Sequence, residues 1–97
     1  MLKVFDMHCD TIGTMYKASL AKQQSEQHIF HNDMHIDLCK LQKGTYLAQC
    51  FAMFVPYVEE APFEFCMAMI DRFYSEIVEN EDLIAPATSY DEVIRNA

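Results

Sequence analysis

The chain has 97 residues, with 15 acidic side chains against 7 basic ones and a formal net charge of −8. That length allows no more than one domain, read as a single partial domain over 1–97, and the acidic balance excludes nucleic acid or an anionic membrane as a partner, since both select a basic surface. The hydrophobic content of 52% exceeds what so short a chain can easily bury, so part of it is expected to face further polypeptide or another chain.

Residues 2–9 read as a first strand. Thr11 is placed to cap a helix in which Ile12, Met15, Tyr16 and Leu20 keep helical spacing, and which fades near Gln23, Gln24 and Ser25. A polar connection carries His28, His31, Asn32, Asp33 and His35. Asp37 then reads as the N-cap of a short helix holding Leu38 and Leu41, with Gly44 as its stop. Residues 45–55 form an almost continuously apolar run interrupted only by Gln49, the pattern of a parallel strand buried on both faces. Gln49 itself is expected to be a hydrogen-bonded core amide.

Pro56 closes that strand, and Pro62 suits the first turn of the next helix. Phe63, Cys66, Met67, Ile70, Phe73, Tyr74 and Ile77 lie on one broad helical stripe, with Met67 and Met69 read as core filler rather than as a soft metal patch. Glu79, Glu81 and Asp82 fit a solvated helix end, and Leu83, Ile84 and Ala85 a brief extended segment. Ser89 and Glu92 have the spacing of a capping box for a last helix with Val93 and Ile94. Strands separated by helices predict an α/β fold with a parallel sheet, and two parallel strands need further strands for stability.

The four cysteines (Cys9, Cys39, Cys50 and Cys66) contain no C-x-x-C pair, which argues against a four-thiolate zinc site. They read as reduced thiols of a cytoplasmic protein. The first apolar run meets Asp6 too soon for a signal peptide, and no run is long enough to span a bilayer.

The most informative stretch is Asp6-Met7-His8-Cys9-Asp10. In a strand Val4, Asp6, His8 and Asp10 share one face, and Phe5, Met7 and Cys9 the other. An imidazole and two carboxylates in line on an apolar strand are costly to bury alone, and a divalent metal offsets that cost. His8 and Asp10 can both reach one ion. Their place at the end of a first strand, just before a helix, is where βα architectures gather functional groups. A second H-x-D, His35 and Asp37, reads as structural because Asp37 has a capping role; His28 and His31 read as solvated.

Three stretches, Val4 to Thr11, His35 to Leu38 with Leu41 and Gly44, and Ala48 to Ala52, resemble the amino-terminal segment of the membrane (renal) dipeptidase family of zinc peptidases in its bacterial, unanchored form. The likeness extends more weakly through 87–93. Met7 stands where that family often has Gly. The resemblance implies a (β/α)8 barrel that hydrolyses dipeptides with two bridged zinc ions. It implies that His8 and Asp10 ligate one zinc and that Asp6 orients a ligand. The family's bridging glutamate, its later histidine ligands and its catalytic acid belong to later strands, so these 97 residues are expected to carry the first βα units of an incomplete barrel and no catalytic residue. Alone they are expected to be inactive, with zinc absent or partial. The alternative expectation is a non-catalytic, truncated α/β module that folds by self-association or with a complementing chain. A barrel hydrolase of the amidohydrolase or phosphoesterase type is disfavoured, because those carry H-x-H where this chain has Asp10.

Overall fold

Six short elements are laid down in the order β1 (Val4–Asp6), α1 (Thr11–Leu20), α2 (Leu38–Lys43), β2 (Tyr46–Gln49), α3 (Pro62–Glu79) and α4 (Tyr90–Asn96) in a computed structural model that describes residues 2–21 and 27–97. The fold is α/β. β1 and β2 pair in parallel, with Val4 opposite Tyr46, Phe5 opposite Ala48 and Asp6 opposite Gln49. The near-continuous apolar run of β2 predicted that parallel pairing, because both strands point the same way only when helices carry the return.

Both strands are shorter than the apolar runs that contain them. The 2–9 reading contracts to Val4–Asp6 and the 45–55 reading to Tyr46–Gln49. Contact between the two segments nevertheless continues, with Cys50 N–H donating to Asp6 O at 2.9 Å and Ala52 N–H to Cys9 O at 3.0 Å. Between those two bonds the first segment advances from 6 to 9 while its neighbour advances from 50 to 52. The extra residue breaks the ladder and pushes Met7 and His8 outward, as a bulge does. The expectation of burial on both faces is corrected as well. Tyr46 is exposed and Leu47, Ala48 and Gln49 are half-buried, and no third strand joins the pair among the described residues.

The core lies to one side of the strands. Ile12 and Met15 of α1, Phe65, Met69 and Ile77 of α3, and Ile29 and Leu38 from the connection into α2 form one buried cluster. Phe51, Met53 and Val55, beyond β2, pack against it. Tyr16 and Phe65 meet edge to face at 4.9 Å between ring centres. The inward stripe of α3 matches the expected one in part: Ile77 is buried and Phe73 packs on the core, but Phe65, Met69 and Glu76 are buried too, while Phe63, Met67 and Tyr74 are exposed. Apolar residues occur round so much of this helix that spacing alone admits either face. Met69 is core filler, as read, and Met67 is not.

Several local signals are realised as written. Pro62 opens α3, and Asp37 caps α2, with Gly44 at its end. Ser89 accepts a hydrogen bond from Glu92 N–H, whereas the Glu92 carboxylate returns to Thr88 instead of Ser89. Thr11 does not cap α1. Asp10 holds that position without a side-chain cap bond, and the Thr11 hydroxyl donates to Ile36 O at 3.0 Å. Leu83 lies in a turn rather than in an extended segment, and Ile84 packs on the core. Glu79, Glu81 and Asp82 are exposed, as expected. The expected fading of the first helix at Gln23 to Ser25 lies outside the described residues.

Gly13 is buried in α1, and a Cβ built on it would meet only the Met69 sulfur, at 3.9 Å, an ordinary contact. Gly13→Ala should therefore stabilise the protein by about 0.5–1 kcal/mol through lower backbone entropy in the unfolded chain. Urea titration measures this; destabilisation would mean that α1 and α3 approach more closely than described.

Candidate functional site

His8 and Asp10 lie in the loop from β1 to α1, at the carboxyl end of β1. The ladder breaks after Asp6, leaving His8 outside it, and Asp10 sits at the cap position of α1 with its carboxylate on His8 instead of the helix. The two side chains meet, His8 Nε2 standing 3.1 Å from Asp10 Oδ1, and are 62% and 65% exposed. A tetrahedral zinc with bonds of about 2.0–2.2 Å holds its nitrogen and oxygen ligands about 3.3–3.5 Å apart. The pair is therefore near the spacing needed to share one ion, on an open face.

Asp6 is half-buried and turned the other way. Its Oδ2 accepts a 2.7 Å hydrogen bond from Gln49 Nε2 on the adjacent strand, so it contacts neither His8 nor Asp10 through a hydrogen bond among the described residues. Gln49 also donates to Cys50 O, and its own Oε1 is buried with no hydrogen-bond partner among the described residues. The core-amide expectation for Gln49 thus holds in part: the amide is bonded, half-buried, and left with one open acceptor. Cys9 is buried between these carboxylates. Burial first, then Asp6 and Asp10, push its thiol up, against opposing hydrogen bonds from Thr11. It is a protonated apolar filler under the site.

Sequence spacing missed a second constellation. The connection from 27 to 37 closes on itself, with Leu38 N–H donating to Ile29 O at 2.8 Å and Cys39 N–H to Phe30 O at 3.1 Å. That neck places His31, Asp37 and Cys39 together, with one ligand atom of each within 4.8 Å of the others. Asp37 is fully buried. Its Oδ1 accepts from Lys40 N–H at 2.8 Å, and its Oδ2 from Asn32 N–H at 2.9 Å and from the Lys40 ammonium at 3.1 Å. Burial alone would raise its carboxyl, but these donors outweigh it and hold the group below the usual carboxylate range. The structural role read for Asp37 is thus the observed one, while His35 takes no part in the cluster.

His28 is corrected from solvated to engaged. Its Nδ1 lies 2.9 Å from Oε1 of buried Glu76, to which Arg72 Nε donates at 3.1 Å. Arg72 also donates to Gln27 O, so the network ties α3 to the loop. The approach of His28 across 48 residues was not legible in the sequence. His28 and Glu76, with Phe30, His31, Glu79 and Asn80, line an open cleft of about 380 Å³.

No protein-family model matches the chain, and no curated protein or solved structure is significantly similar to it. The likeness to the dipeptidases accordingly rests on the short motifs alone.

The depressed Asp37 carboxyl means that the folded protein holds this proton more weakly than the unfolded chain does. Its contribution is therefore complete above the unfolded value near ~3.9 and is lost as pH falls through the lower folded value. Asp37→Asn should cost about 1–2 kcal/mol at neutral pH and flatten the loss of stability below about pH 4. Denaturant titrations from pH 2 to 7, a span of about five units around the carboxylate range, compare the two proteins; identical acid limbs would remove Asp37 as the titrating group.

Proposed function

We propose that these residues form the first two βα units of a (β/α)8 metal-dependent hydrolase of the dipeptidase kind. In this reading His8 and Asp10 are ligands of one of two zinc ions, and Asp6, bonded to Gln49, acts only on the strand from which they project. The observation that carries the reading is the convergence of His8 and Asp10 at 3.1 Å, exposed at the carboxyl end of the first of two parallel strands. Functional groups of βα barrels collect at that end.

Zinc in such a site would lower the pKa of bound water and polarise a dipeptide carbonyl. The chain's own part is to present one imidazole and one carboxylate on a loop held by the Cys50–Asp6 and Ala52–Cys9 backbone bonds. A barrel of this type needs on the order of 200 residues or more, so the other ligands and the catalytic acid would come from polypeptide beyond these strands. The exposed Phe5 and Tyr46 support further polypeptide packed over these strands. Four free cysteines agree with a reducing, cytoplasmic setting, and no helix among the described residues is long and apolar enough to cross a membrane.

Zinc added to the 97-residue protein should move the NMR amide signals of residues 8–11, and His8→Ala should abolish those shifts. Survival of the shifts would remove His8 as a ligand. Dipeptides incubated with this protein and zinc should not turn over; hydrolysis by a pure sample would show that the catalytic groups lie within these residues.

A second reading, a non-catalytic module completed by another copy or a complementing chain, is favoured by the apolar side chains left open on the strands and on α3, among them Phe5, Phe63 and Tyr74. Sedimentation should then show a concentration-dependent dimer or larger species, and a monomer at all concentrations would exclude self-association.

A further inference from the structure

The loop between α1 and α2 carries donor chemistry that the dipeptidase reading does not use. His31, Asp37 and Cys39 offer an imidazole nitrogen, a carboxylate oxygen and a thiol sulfur within 4.8 Å of one another. We propose that these three side chains form a second, independent site for a borderline divalent cation of the zinc or cobalt class, with water as the fourth ligand.

The donor set suits that class. Thiolate and imidazole together select zinc-like ions over magnesium or calcium, which take oxygen ligands. The spacing needs little adjustment. His31 Nδ1 and Asp37 Oδ2 are already 3.7 Å apart, close to the separation of about 3.3–3.5 Å for two ligands of one tetrahedral zinc. With all three ligand atoms within 4.8 Å of one another, the set needs to contract by about 1 Å at most to surround one ion. His31 can take part in that contraction, because its side chain is 73% exposed.

Two of the donors are fixed by the fold. Asp37 is held by the Asn32 and Lys40 N–H groups and stays ionised, so it needs no proton removed before it binds. Cys39 sits in the first turn of α2, half-buried, with its N–H on Phe30 O. Its thiol gives up a proton to solvent on binding, so affinity falls as pH is lowered. The groups facing the carboxylate are His31 and the Lys40 ammonium, which shares Oδ2 at 3.1 Å. Lys40 occupies the charge-compensating place that the cation would take. It also donates to Asn32 O at 3.0 Å and to Met34 O, so on ion entry it gives up Oδ2 while keeping those two carbonyls, its side chain being 41% exposed. A bound ion would join the loop to α2 through side chains as well as through the backbone neck.

This inference does not rest on the dipeptidase reading, and the two can fail separately. Cobalt(II) titrated into the whole protein should give one thiolate-to-cobalt charge-transfer band. Cys39→Ser should abolish the band, and His31→Ala should weaken cobalt binding by roughly tenfold or more. Cys50→Ser and His8→Ala should leave the band intact. Because His31 is exposed, its variant tests the site even if the Cys39 variant folds poorly. A band that survives in Cys39→Ser, or an affinity unchanged in His31→Ala, would overturn the assignment, as would a band lost in His8→Ala.

Discussion

The rest of the structure depends on one buried carboxylate. Asp37 caps α2, takes up the Asn32 N–H and compensates the Lys40 ammonium, and these partners let the loop before α2 bury Ile29, Asn32 and Asp37 with their polar groups satisfied. Asn32 completes the arrangement. Its amide donates to His28 O and Ile36 O, and its carbonyl accepts from Met34 N–H. With the polar atoms satisfied, Ile29 and Leu38 can enter the core at either side of the neck. Ile36 O also receives the Thr11 hydroxyl, so the same loop fixes the start of α1 and hence the segment that holds His8 and Asp10.

Burial is unevenly shared. The helices and the 27–38 loop enclose the core, while β1 and β2 keep one side open. The buried ionic group Glu76, with Arg72 and His28, sits where α3 meets the loop, and its Oε2 has no hydrogen-bond partner among the described residues. Such a group adds little net stability and much dependence on its partners: removing one leaves a charge buried. Its effect is to define how α3 is rotated against the loop. That role agrees with the inward turn of Glu76, where apolar periodicity alone admits either face of the helix.

Local signals were legible in the sequence because their causes are local. Asp37, Gly44, Pro62 and Ser89 each act on backbone groups within a few residues, and each marks its helix end as read. The parallel pairing was legible from the apolar run of β2. Strand length was not, because it depends on the extra residue between Asp6 and Cys9, which only the partner strand reveals. The meeting of His8 and Asp10 followed from a spacing of two; the His31, Asp37 and Cys39 cluster did not, because the neck of the loop assembles it. Glu76 and His28 lie 48 residues apart, and no periodicity reports such a contact.

The bond between Gln49 and Asp6 has a consequence for alignment. Apolar side chains line nearly all of residues 46–55, so sliding β2 by two residues would change little in the oily surface it presents. Hydrophobic pattern therefore leaves the pairing almost degenerate. Gln49 is the only polar marker in that run, and only one alignment sets it opposite Asp6 at bonding distance. Any other would strand a carboxylate and an amide against apolar neighbours. The pair thus works as a key that admits one offset between the strands, and the loop carrying His8 and Asp10 takes its position from that choice.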